Sequence, residues 1–130
     1  TPYVTHFPVP LYRTVVDIVF GDNMKVCHSL VHRDLRNVTA EFDCVRALTY
    51  PVINGHTAVT FNMRYEPRIQ NAIAHEAFHV TMGIMEYVGM KHTRKAEEPF
   101  AYLHADILEK LHAAYAKYKK ETRKGEPTNV

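Results

Sequence analysis

The order of residues predicts an α+β fold, with about four mostly antiparallel strands followed by two long helices, and three features carry that expectation. Short alternating apolar runs, separated by Gly, Asn and Pro, fill the first half of the chain. From position 68 onward apolar residues recur at spacings of three or four instead. The 130 residues, 46% of them hydrophobic, suffice for one domain with its own core.

Residues 1–10 contain Pro2, Pro8 and Pro10, which forbid regular helix, so an extended N-terminal arm lying on the body or on a partner is expected. Across Leu11 to Phe20, Tyr12, Thr14, Val16, Ile18 and Phe20 alternate with Arg13 and Asp17. Gly21-Asp22-Asn23 then offers turn chemistry before Met24 to His32, and the two runs read as a hairpin. A third strand is placed within Thr39 to Leu48, with Phe42, Cys44 and Val45 as apolar markers. Asn54-Gly55 is a strong turn signal ahead of a fourth strand, Thr57 to Arg64, which carries Val59, Phe61 and Met63 on one face.

Ile69, Ile73, Ala77, Val80, Ile84 and Val88 mark a helix over Arg68 to Met90, opened by Pro67 and closed by Gly89. A second helix from Glu97 to about Lys120 follows from the stripe Phe100, Leu103, Ile107, Leu111, Ala114 and Tyr118. A single domain over residues 11–124 is predicted, with a fraying tail at 125–130.

The most informative stretch is His75-Glu76-Ala77-Phe78-His79 inside the first long helix. Residues four apart stand one turn above each other, so His75 and His79 can offer two imidazole nitrogens to one metal ion. Glu76, about 100° further round the helix than His75, can reach water at that metal from the side, which suits a general base. One Zn2+ is the implied cofactor; zinc takes a third protein ligand and keeps a fourth position open, and a carboxylate from the second helix would complete the set. Glu98, separated from His79 by 18 intervening residues, is the candidate and Glu97 its rival. Both open a helix, where carboxylates also favour the dipole.

In these residues the chain resembles the gluzincins, the zinc metallopeptidases that include thermolysin and the large zinc aminopeptidases. They carry HExxH on one helix and a ligand Glu on the next, and the aminopeptidases use the same gap of 18 residues, after which this chain reads Glu98-Pro99-Phe100-Ala101. The run His75 to Leu103 also looks like small phage-encoded HExxH proteins, in which an acidic pair precedes a similar Pro-Phe-Ala-Tyr-Leu string. The resemblance implies a minimal zincin-like domain, a zinc-dependent peptidase with a protein or peptide substrate, metal ligands His75, His79 and Glu98, and Glu76 as catalytic base. Zincins also set an edge strand beside the active-site helix, which would make Thr57 to Arg64 a groove for an extended peptide.

Departures from the pattern are specific. Thermolysin-like enzymes place an Asp four residues after the ligand Glu to orient a histidine, and Tyr102 stands there; Asp106, one turn on, is the substitute. Only 32 residues follow Glu98, so a donor to the oxyanion of a tetrahedral intermediate must be local, with Tyr102, His104 and Tyr115 as candidates. Arg64 is a weaker candidate for holding a substrate carboxylate.

A net charge of +2 is too mild to imply nucleic acid, although five basic residues and one acid lie between Lys117 and Lys124, where a solvated helix end accounts for them. Cys27 and Cys44 lack metal or redox spacing and read as buried free thiols in strand-like runs. His28 and His32 fall in the same expected strand, His56 in a turn and His92 between the helices. No run of about 18 apolar residues and no secretory-signal layout is present, so a cytoplasmic protein without a membrane partner is expected, host cytoplasm if phage-encoded, with a leader removed before Thr1 left open. The alternative to a peptidase is a non-catalytic zinc-binding scaffold, a virion or host-takeover component that meets a protein partner through the N-terminal arm.

Overall fold

The computed structural model describes residues 1–31 and 45–123. Four strands, β1 (Tyr3–Val9), β2 (Thr14–Gly21), β3 (Ala47–Ile53) and β4 (His56–Asn62), form one sheet in the order β1-β2-β4-β3. β1 runs antiparallel to β2 and β3 antiparallel to β4, while the central pair β2 and β4 is parallel. A short helix α1 (Met24–Ser29) follows β2, and the long helices α2 (Ile69–Tyr87) and α3 (Glu97–Thr122) complete the α+β fold. No described helix is long and apolar enough to cross a membrane.

The parallel pair is central because its residues can be buried on both faces. Val16, Ile18, Val19 and Phe20 of β2 and every residue from Thr57 to Asn62 of β4 are buried, a nearly continuous run where alternation would leave one face wet. On one face Ile18, Phe20, Val59 and Phe61 meet Ile73 and Ile84 of α2 and Ile107 and Leu111 of α3 in the main core. On the other, Val19 packs with Met24 and Cys27 of α1.

Two expectations about the sheet are corrected. Met24 to His32 is not the second arm of a hairpin: Met24–Ser29 is helical, and His32 lies outside the described residues. Asn23, read as turn chemistry, caps that helix instead, its side-chain oxygen accepting from the backbone N–H groups of Lys25 and Val26 at 3.1 and 3.2 Å. Met24, Cys27 and His28 are its buried positions, a helical spacing rather than an alternating one. His28 thus sits in a helix, its Nδ1 2.6 Å from the Tyr50 hydroxyl. β2 takes the proline-bearing arm as its antiparallel partner, with Pro8 opposite Val15. An edge strand tolerates Pro because an N–H facing away from the ladder is not missed.

The second correction concerns the strand that directly precedes the helix carrying His75 and His79. β4 lies inside the sheet between β2 and β3, and β3 is the edge strand on that side among the described residues. The third expected strand, Thr39 to Leu48, reaches the structure only at its end: Ala47 and Leu48 open β3, which continues to Ile53, and residues 32–44, Cys44 included, lie outside the described residues, as does the tail 125–130. Cys27 is a buried free thiol, as expected. Asn54 and Gly55, with φ of 52° and 78°, make the β3–β4 turn that the Asn-Gly pair predicts. His56 opens β4 rather than sitting in that turn.

α2 ends where Gly89 adopts φ of 78°. Its N–H donates to the carbonyl of Glu86 at 3.0 Å and that of Met90 to Met85 at 2.9 Å, the paired bonds of a Schellman motif. The reversal returns the chain so that α3 packs on α2.

Tyr115 fastens α3 to the segment before α2, its hydroxyl donating to Oε2 of Glu66 at 2.6 Å while Arg123 pairs with the same oxygen. Burial first, and then the bond to Glu66, push the Tyr115 phenol up to about 12. The folded state therefore favours the protonated phenol; this contribution is complete below about pH 10, the unfolded value, and is lost as pH rises through about 12. Tyr115→Phe is expected to flatten the fall in unfolding free energy between those limits, read by denaturant titration at stepped pH. Ile107→Ala, at a fully buried position between α3 and the sheet, should cost about 2–5 kcal/mol in the same assay at neutral pH.

Candidate metal centre

The rotation of α2 about its axis sets the site. Ile73, Ala77, Val80 and Ile84 are fully buried against the sheet and α3, which turns positions 75 and 79 to solvent. The Nε2 atoms of His75 and His79 stand 3.1 Å apart on that exposed crest. Glu76, rotated about 100° from His75, turns toward β3 and is only 4% exposed. Its Oε2 lies 3.8 Å from Nε2 of His75, and its Oε1 accepts from the Thr49 hydroxyl at 3.3 Å. Burial raises the Glu76 pKa; the two imidazoles and the Thr49 bond oppose that rise without cancelling it.

His75, Glu76 and His79 form the group, among the described residues, whose potential ligand atoms all lie within 4.8 Å of one another. The imidazole pair suits zinc. With Zn–N bonds of about 2.0–2.1 Å, nitrogens 3.1 Å apart subtend about 95–102° at the ion, close to the tetrahedral angle.

Two grooves flank the crest. On the β3 side a groove of about 450 Å³ is lined by Thr49, Tyr50, His75, Glu76, His79 and Glu86. On the α3 side a smaller one of about 210 Å³ is almost wholly apolar, formed by Phe78, Thr81, Met82, Phe100 and Ala101, with Glu97 and His104 also lining it.

The other site residues expected from sequence are dispersed. Glu98 is exposed in the first turn of α3 and is not in the His75–Glu76–His79 group, whereas Glu97 lines the α2–α3 groove. His104 faces the same groove. Tyr102 and Asp106 line a separate hollow beside Val9 and Tyr12, and Asp106 pairs with Lys110 at 3.1 Å. Tyr115 gives its hydroxyl to Glu66. Of the four proposed supporting or oxyanion residues, the structure thus turns only His104 toward α2. Arg64 is exposed beyond the end of β4 and lines neither groove.

Three residues that the sequence reading passed over lie at the site. Thr49 holds Glu76, and Arg46 and Asn71 line a cavity of about 360 Å³ together with His75 and Glu76. Asn71 stands one turn before His75, so helical spacing alone would have found it. Thr49 and Arg46 required the pairing of β3 with β4, which no local pattern shows. No family model, curated protein or solved structure matches the chain.

If the paired imidazoles bind zinc, His79→Ala should abolish stoichiometric binding in a chelator-competition titration. Glu98→Gln should weaken it by about tenfold or more while Glu97→Gln leaves it unchanged; the reverse order would identify Glu97 as the third ligand.

Proposed function

We propose that this protein is a zinc-dependent peptidase of the gluzincin type, with His75, His79 and a carboxylate from the first turn of α3, Glu98, holding one ion, and Glu76 as general base. The observation that carries the reading is the juxtaposition of two solvent-facing imidazole nitrogens 3.1 Å apart with a buried carboxylate 3.8 Å from one of them. A zinc ion bound there would supply Lewis-acid polarisation of a substrate carbonyl and would lower the pKa of water toward about 7.

Glu76 is suited to the proton transfers. Oε1 is held by Thr49, leaving Oε2, on the side of His75, to take the proton of the attacking water and return it to the leaving nitrogen. Its raised pKa brings the carboxyl nearer to neutrality, where a group that must both accept and release a proton works best. β3, an edge strand among the described residues, borders the groove, so an extended peptide has backbone groups to pair with on its way past the histidines. The spacing of Glu98 from His79, shared with the zinc aminopeptidases, supports peptides as the substrate class.

Glu76→Gln is expected to retain zinc and to lose cleavage by about 10²–10⁴-fold, the usual contribution of general acid-base catalysis. The measurement is metal analysis of protein purified without affinity metal, followed by proteome-wide cleavage profiling of both forms. Zinc bound with no cleavage by either form would favour the scaffold reading. Equal cleavage by both would remove Glu76 from the mechanism.

A further inference from the structure

The cavity that Arg46 and Asn71 share with His75 and Glu76 opens at the N-terminal side of the histidine pair and has no part in the chemistry above. Its one arginine is Arg46, which is held in place from two directions. The backbone N–H of Asn62 donates to the carbonyl of Arg46 at 2.8 Å, and the buried Asn62 side chain donates from Nδ2 to the carbonyl of Val45 at 2.9 Å. At its other end the Arg46 guanidinium lies over the Tyr65 ring, 5.8 Å from the centroid.

A cation–π contact with a ring does not use up the N–H groups of a guanidinium, which can still donate to both oxygens of a carboxylate. Among the described residues no carboxylate lies within ion-pair range of Arg46, and Glu76, which shares its cavity, is engaged by Thr49 and His75. Arg123, just beyond the end of α3, offers a contrast, since it is paired with Glu66. Among the described residues Arg46 is thus a positioned cation without a carboxylate partner, beside a candidate scissile-bond site, and so is suited to recognition.

We infer that Arg46, assisted by Asn71, binds a carboxylate of the peptide substrate, so that the site favours chains presenting a free C-terminus or an acidic side chain within a residue or two of the bond to be cut. Asn71 contributes through its amide, which can donate to a carboxylate and is exposed on the helical turn before His75. The inference deepens the peptidase reading and rests on it for the identity of the ligand as a peptide, but carboxylate recognition is measurable without turnover.

The test is calorimetric titration of the full chain, treated with chelator so that no cleavage occurs, with three acetylated tripeptides of one length: a neutral peptide with a free C-terminal carboxylate, its C-terminal amide, and an amide ending in Glu. The expected result is that one or both carboxylate peptides bind at least about tenfold more tightly than the neutral amide, as a charge-assisted pair supplies. That preference should vanish in Arg46→Gln and survive in part in Arg46→Lys, which keeps the charge and loses the fork. A preference for the free terminus alone points to action at chain ends, and one for the Glu amide alone to an acidic side chain. Equal binding of all three, no binding of any, or a preference that persists in Arg46→Gln overturns the inference. Zinc affinity, measured separately by chelator competition, reports on the peptidase reading alone.

Discussion

The rotational setting of α2 is the constraint on which the site depends. Ile73, Val80 and Ile84 are fully buried, and each such side chain contributes about 1.5–3 kcal/mol by leaving water. Turning the helix by one residue would bring polar neighbours into the core and lose most of that. No arrangement of exposed imidazoles could offset such a loss, because surface polar contacts are worth about 1 kcal/mol or less. The apolar face therefore decides that residues 75 and 79 look outward and residue 76 inward, and the geometry of the candidate metal site follows from hydrophobic packing.

Glu76 shows the other side of that arrangement. A carboxylate inside a protein is costly unless it is hydrogen-bonded or beside positive charge. Thr49 and the imidazoles supply part of that compensation, and its pKa still stands above the ordinary carboxylate range. A side chain that exists only to fill space would be apolar at this position. Glu76 instead lines a groove and stands next to two potential metal ligands, the setting in which perturbed carboxylates are candidates for chemistry. The edge strand matters here because it brings Thr49 onto Glu76 while leaving one side of the groove open.

Much of this was legible in the residue order. Periodicity located both long helices to within about three residues at either end, Asn54-Gly55 fixed the turn between the last two strands, and the histidine spacing identified the imidazole pair. The failures share one cause. Asn23 is equally good as a turn residue and as a helix cap, and the choice fell to whether Met24 and Cys27 could pack beneath Val19. The arm with Pro2 and Pro8 became a strand because β2 offered an edge, and β4 went to the centre of the sheet because β2 pairs with it in parallel. Pairings of this kind join residues tens of positions apart and leave no local mark.

What the sequence determined by itself, then, is what depends on neighbours along one element: two amphipathic helices, alternating strands, and imidazoles one turn apart. Tertiary structure alone decided which strand borders the groove, that Thr49 steadies Glu76, that Arg46 shares its cavity, and which face of α3 turns to α2. On that face stands Glu97, which lines the α2–α3 groove, while Glu98, equally exposed on the same first turn, does not. Helical and strand periods are written into consecutive residues by the backbone, whereas the meeting of faces is settled by how all the apolar surfaces can be buried at once.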